Sequence, residues 1–207
     1  MAARVVVFLD YQNVYRGARD AFHPFGSPGQ DGQVDPHRLG ELLVAKGPPG
    51  VGRELSGVRV YRGQPDSQKD PRGYAANDRQ CRHWETLPNT EAITRTLQYP
   101  SAWPEEPEHE KGIDVKLAID LVAGAVREEY DVAILMSTDT DLKPALEFVR
   151  DLHGDPYPRC EVAAWSSPSG YSRRLSIPGR QIWCHWLGEP EYRLVADPTN
   201  YALALGS

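Results

Sequence analysis

The sequence predicts an α/β fold in which a parallel sheet is covered by helices on both faces. Three observations predict it. Arg4–Leu9 and Val132–Met136 are short, continuous apolar runs rich in β-branched residues, as strands buried on both sides require. Other segments place their apolar residues at helical spacing. The two kinds alternate along the chain, which implies right-handed crossovers between parallel strands.

After the first strand, Asp10-Tyr11-Gln12-Asn13 reads as a turn or helix start. His23–Gln33, rich in Gly and Pro, reads as a loop, and Pro36–Ala45 as a short helix before the break at Gly47–Gly50. Val58–Tyr61 is expected to be a strand, Gln64–Arg72 a polar connection, Tyr74–Trp84 a helix and Ile93–Gln98 a third strand. Ser101–Glu110 carries Pro104, Pro107 and several glutamates and reads as a loop. Val115, Ala118, Ile119, Val122 and Val126 then form one apolar stripe at helical spacing, expected to face the core. Leu142, Ala145, Leu146, Val149 and Leu152 repeat that spacing, with Gly154 as the stop. Glu161–Trp165 and Gln181–Trp186 read as further strands, with Tyr171–Leu175 a short helix between them.

A length of 207 residues suits one substantial α/β domain and is short for two. Residues 1–180 are expected to form that domain, and residues 181–207 a final strand and tail packed on it. No run approaches the roughly 18 apolar residues that span a bilayer, and Val5–Leu9 is too short for a signal-peptide core. Cys81, Cys160 and Cys184 are far apart and odd in number, so reduced thiols in a cytoplasmic protein are expected. A net charge of −6 argues against broad electrostatic binding to nucleic acid and leaves room only for a local patch.

Two acidic clusters lie where chemistry sits in such folds. Asp10 follows the first buried strand, and Ser137-Thr138-Asp139-Thr140-Asp141 follows Val132–Met136. In open parallel sheets ligands bind beyond the carboxyl ends of the strands, near the reversal of strand order. Taken alone, Asp10 and Asp141 are each explained as helix caps; the two clusters together point to a site. Asp114, in Lys111-Gly112-Ile113-Asp114, stands ahead of the apolar stripe and reads as an N-cap or as a third acid of that site. Asp120 points about 240° around the helix from Asp114, and Lys116 offers it an ordinary surface pair. Carboxylates of this kind suit Mg²⁺ or Mn²⁺, hard cations that prefer oxygen ligands. Such an ion can polarise a phosphodiester and orient an attacking water. The six histidines form no HxxxH or HxH pair, so a zinc hydrolase is not expected.

Three stretches together resemble the NYN branch of the PIN-like nuclease superfamily. They are Val5-Val-Val-Phe-Leu-Asp10-Tyr-Gln-Asn13, Lys111-Gly-Ile-Asp-Val-Lys-Leu-Ala-Ile-Asp120 and Tyr130-Asp-Val-Ala-Ile-Leu-Met-Ser-Thr-Asp-Thr-Asp-Leu142. The resemblance covers most of residues 4–165. It implies a PIN-like three-layer α/β/α sandwich and an Mg²⁺- or Mn²⁺-dependent endoribonuclease. Asp10, Asp114 and Asp139 match the family's metal-site acids, with Asp141 the fourth. Asn13 would orient Asp10 or the substrate, and Ser137 would support the loop. The implied partner is single-stranded or structured RNA, with no membrane; a homo-oligomer stays open. Lys111, Lys116 and Lys143 flank the acids, and Arg173 and Arg174 follow Tyr171; phosphate contacts with stacking on Tyr11 or Tyr171 are one reading, and an ordinary solvated charged face is the reading each residue alone favours.

The chain also departs from the pattern. Tyr11 and Gln12 are bulky where small or acidic residues are common, the His23–Gln33 insert is unusual, and the tail from Trp183 to Tyr201 has no assigned role. Two other functions compete: a non-catalytic RNA-binding or regulatory module on the same fold, and an aspartyl phosphatase. The phosphatase would want an acid two residues after Asp10, where Gln12 stands.

Overall fold

A computed structural model describes residues 2–50, 52–152, 159–168, 170 and 172–203. Six parallel strands form one sheet in the order β3-β2-β1-β4-β5-β6. They are β1 (Ala3–Asp10), β2 (Arg53–Gln64), β3 (Thr90–Thr96), β4 (Val132–Met136), β5 (Arg159–Trp165) and β6 (Cys184–Leu187). The central strands are the apolar runs of the sequence: Val5, Val7, Phe8 and Leu9 of β1 are fully buried, and β4 is buried throughout. Each such side chain contributes about 1.5–3 kcal/mol by leaving water. The edge strands β3 and β6 are more exposed and more polar.

Alternate residues of the strands feed two cores. Val5, Val7, Leu9, Val60 and Ile134 point to one face. There they meet α1 (Tyr11–Phe22), α2 (Pro36–Ala45), α3 (Pro71–Glu85) and α6 (Glu189–Val195). Val6, Phe8, Leu135 and Val162 point to the other, against α4 (Ile113–Val126) and α5 (Lys143–Leu152). The result is the three-layer α/β/α sandwich expected, with a sheet that is parallel throughout. Helix starts are set by sequence. Asp35 caps α2 by accepting from Arg38 N at 2.9 Å, Asp70 caps α3 through Gly73 N at 2.9 Å, and each helix has proline in its first turn.

Four expectations need correction. The stripe on α4 is not the core face: Val115, Ile119 and Val126 are 60%, 57% and 55% exposed, while Ile113, Leu117, Leu121 and Ala125 are buried. This helix is apolar nearly all round, so periodicity could not choose a side. Residues 172–175 hold no helix, and the helix near the C-terminus is α6. The strand expected at Val58–Tyr61 is twelve residues long, Arg53–Gln64; its first half alternates half-buried and exposed positions and so carries no apolar run. The Gln181–Trp186 strand starts only at Cys184. Gly154 and Tyr171 lie outside the described residues. No described helix is long and apolar enough to cross a membrane.

The His23–Gln33 insert is tightly held. Arg19 collects the carbonyls of Ser27 (2.9 Å), Pro28 (2.6 Å) and Asp31 (3.1 Å), and Tyr15 Oη donates to Gly29 O at 2.8 Å. The tail fastens to it, with Asp197 N donating to Gln33 O at 3.0 Å. Arg79 of α3 donates through Nε to Tyr201 O at 2.8 Å.

Candidate functional site

Strand order reverses between β1 and β4, since the chain builds outward from this pair in opposite directions. Asp10 ends β1 at that point and also caps α1. Its Oδ1 accepts from Asn13 N at 3.3 Å, and its Oδ2 accepts from Asn13 Nδ2 at 2.5 Å and Ser137 Oγ at 2.7 Å. Cap and site residue are therefore one and the same. Asp10 is 3% exposed. Burial raises its pKa above the usual carboxylate value; hydrogen bonds from Ser137 and Asn13 oppose this, and the charge of Asp139 adds to it.

Ser137 follows β4 and is buried. Besides donating to Asp10, its Oγ accepts from Asp139 N at 3.0 Å, so one hydroxyl couples the two strand ends. Asp139 caps the 3₁₀ turn Thr140–Leu142, accepting from Asp141 N at 3.0 Å. Thr138, which sequence reasoning passed over, donates to Asn13 Oδ1 at 2.6 Å and closes a second link between the strand ends.

Asp114 is not the cap of α4. That position is Gly112, whose φ of +78° makes the left-handed turn that glycine favours, and Asp114 sits in the first helical turn. Burial raises the Asp114 carboxyl, followed by repulsion from Asp10, Asp139 and Asp141. The helix start thus brings Asp114 into the field of both clusters.

Glu110 was also missed. It is the last residue of the glutamate-rich segment Ser101–Glu110, which reads as a loop. Its Oε1 accepts from Gly63 N, beyond the middle of β2, at 2.7 Å. A Cβ at Gly63 would collide with Leu97 and come within 2.9 Å of that oxygen, so the approach needs glycine. The Gln12 amide, oriented with its nitrogen toward the carboxylate, donates to Glu110 at 2.8 and 2.9 Å and accepts from Arg16 through its oxygen. Burial pushes Glu110 upward, Gly63 N–H opposes it, and Asp10 and Asp114 push it further. The sequence signal was adjacency to Lys111-Gly112-Ile113-Asp114.

These groups border an open cleft of about 690 Å³ whose wall includes Asn13, Glu110, Asp114, Ser137, Asp139 and Arg173. Asp10 lies behind that wall, supporting Asn13 and Ser137. Lys111, Lys116 and Asp141 do not line it. Lys116 Nζ is 2.6 Å from Asp120, and Tyr61 Oη donates to Asp120 at 2.9 Å, which removes both from the cleft as the surface-pair reading expects. Asp141 is exposed and borders a separate apolar groove between α4 and α5. Arg174 donates to Ile182 O at 3.2 Å, and Tyr11 is buried against Trp84, so neither offers the contact expected of it.

Among the described residues, no three His, Cys, Asp or Glu side chains are grouped closely enough to hold an ion between them. Both carboxylate oxygens of Asp10 accept hydrogen bonds from Asn13 or Ser137. The donor chemistry still suits Mg²⁺, which is commonly held by one or two carboxylates while keeping several waters.

The family model of the NYN domain matches residues 4–155. A solved structure of a Vibrio parahaemolyticus protein of unknown function is 19% identical, over 83% of this chain and 85% of that one, with a TM-score of 0.49. No curated protein matches the chain.

Proposed function

Because the chain belongs to the NYN domain family, within the PIN-like nuclease superfamily, we propose that it is a divalent-metal-dependent endoribonuclease working in the cleft beside Asp114 and Asp139. The observation that carries this reading is charge left uncompensated. Asp139 adds to the raised pKa of Asp10, Asp10 and Asp139 both add to that of Asp114, all at the reversal of strand order, and no cation is among the leading influences on Asp10 or Asp114. A bound Mg²⁺ or Mn²⁺ would relieve that repulsion.

Asp114 and Asp139 would hold the hydrated ion, and Asp10 would add charge from beneath. The ion would supply Lewis acidity toward a phosphodiester and favour an attacking water. Ser137 and Thr138 keep the two strand ends in register, so the carboxylates hold their spacing when substrate enters. Asn13 presents its amide at the cleft wall while steadying Asp10. Arg173, which also lines the cleft, would meet a phosphate of an RNA strand. We read residues 1–180 as the nuclease domain and residues 181–207 as an addition completing it, acting in the cytoplasm.

Cleavage of end-labelled single-stranded RNA with Mg²⁺, Mn²⁺ or EDTA tests this. Cutting by the wild type only with metal, lost in Asp114→Asn and Asp139→Asn, is the expected result. Cutting that persists in EDTA and in both variants would refute it. The same assay separates a second reading, a binding module on this fold that takes up metal and RNA and cuts nothing. Metal-dependent thermal stabilisation without cleavage supports that one.

A further inference from the structure

A second cavity, of about 530 Å³, lies on the other side of Gln12, Arg16 and Glu110, which line both it and the acidic cleft. Its size falls within the roughly 300–1,000 Å³ of small-molecule sites. Its walls come from the two features that set this chain apart in sequence. Gly29, Gln30 and Gln33 belong to the insert, and Asn200, Tyr201 and Ala202 to the tail. The tail lies beyond residues 4–155, the part the NYN model matches. Helix α3 and the end of β2 complete the enclosure.

The chemistry of the lining is that of a base pocket. Gln33 lines the cavity, and its Oε1 is buried without a hydrogen-bond partner. Asn77 and Gln80 are 3% and 4% exposed, amides placed deep in a wall. Asn77 Nδ2 is spent on Gly63 O at 2.9 Å, and its Oδ1 meets only the weak donor Cys81 Sγ at 3.4 Å. Arg62 stacks over Tyr11 and Trp84, 5.2 and 5.4 Å from their centroids, and donates to Gln80 Oε1 at 2.5 Å. No carboxylate lies within ion-pair distance of Arg62 among the described residues. A guanidinium with spare N–H groups and an orphaned amide oxygen together ask for a ligand edge carrying both acceptors and donors. Nucleobases have such edges, and a base displaced from a single strand offers its pairing edge unoccupied.

We propose that this cavity is a nucleobase subsite, taking one unpaired base of a single-stranded RNA whose backbone crosses the Gln12–Arg16 ridge into the acidic cleft. The RNA part rests on the nuclease reading above; base binding by the cavity does not. The insert and tail are then specificity elements, and the hydrogen bonds of Arg19 and Arg79 hold them in the shape a base needs.

The test uses the full chain in EDTA, titrated with each of the four nucleoside 5′-monophosphates and with ribose 5-phosphate by calorimetry. Gln33→Leu removes the orphaned acceptor at nearly constant shape, and Ala76→Phe fills the cavity from α3. At least one nucleotide should bind about tenfold more tightly than ribose 5-phosphate, and each folded variant should lose about tenfold, the size of one base contact. Equal binding of nucleotide and ribose 5-phosphate would overturn the subsite, as would no binding at all or nucleotide binding unchanged in Gln33→Leu. RNA cleavage without base-dependent binding would sink the subsite and leave the nuclease. Base-dependent binding in a chain that cuts no RNA would uphold the subsite and sink the nuclease.

Discussion

Two buried acids at opposite ends of the same sheet are treated in opposite ways. Glu161, 2% exposed and near the start of β5, receives two hydrogen bonds from Arg53, at 2.9 and 2.6 Å, and lies 2.7 Å from His185 Nε2. Burial alone would raise its pKa, but bonds and charge from Arg53 and His185 outweigh burial and hold it below the usual range. Asp10, 3% exposed at the end of β1, has only neutral donors and an acidic neighbour, and its pKa is raised. The first acid is neutralised within the fold. The second keeps its charge unbalanced, which costs stability unless something from outside supplies a positive charge. Perturbed carboxyls of the second kind collect at functional sites.

Breaking the balanced end should have the largest effect on stability. Glu161→Gln leaves Arg53 buried without its counter-charge and should cost about 3–5 kcal/mol, read from urea melts at neutral pH. Asp10→Asn should do the reverse and raise the melting temperature in EDTA. The two should also respond oppositely to pH. Stability from Glu161 is present above its unfolded value of 4.5 and is lost as pH falls through its lower folded value. The penalty from Asp10 is absent below its unfolded value of 3.8 and grows as pH rises through its higher folded value. The gain from Asp10→Asn should therefore vanish in acid, and a gain of equal size at pH 3 would contradict the contrast.

Next in size is the loss of activity at the unbalanced end. Asp139→Asn should reduce metal-dependent RNA cleavage by at least about 100-fold, more than a supporting residue would, with little change in the melt. Ser137→Ala should cost about tenfold, within the range for residues that orient ligands, because Asp10 and Asp139 lose their shared hydroxyl. A Ser137→Ala enzyme with wild-type kcat/KM would show that the coupling does not matter. The smallest effect is expected of Gly112→Ala, where φ of +78° should cost about 1–2 kcal/mol. Melts of this variant should also show a weaker stabilisation by Mn²⁺, since Asp114 rides on that turn.

The contrast also marks what could be read from the sequence. Short runs rich in β-branched residues such as Val5–Leu9 suit a strand covered on both faces, so β1 and β4, and with them the places of Asp10 and Asp139, were legible. The face of α4 was not. Ile113, Leu117 and Leu121 compete with Val115, Ile119 and Val126 on a helix with two apolar sides, and only the sheet decides between them. Glu110 was hidden because its burial depends on Gly63, forty-seven positions away in sequence. The partnership of Arg53, Glu161 and His185 is likewise long-range, made by strand order and not by spacing. Lys111 and Lys116 were named because they flank the acids in sequence, yet neither lines the acidic cleft.

The most direct test of the contrast is a Mn²⁺ titration followed by electron paramagnetic resonance on the wild type, the Asp114→Asn/Asp139→Asn double variant and Glu161→Gln. Bound Mn²⁺ should appear in the wild type, vanish in the double variant and persist in folded Glu161→Gln. Mn²⁺ binding that survives the double variant unchanged would contradict a metal site at the ends of β1 and β4.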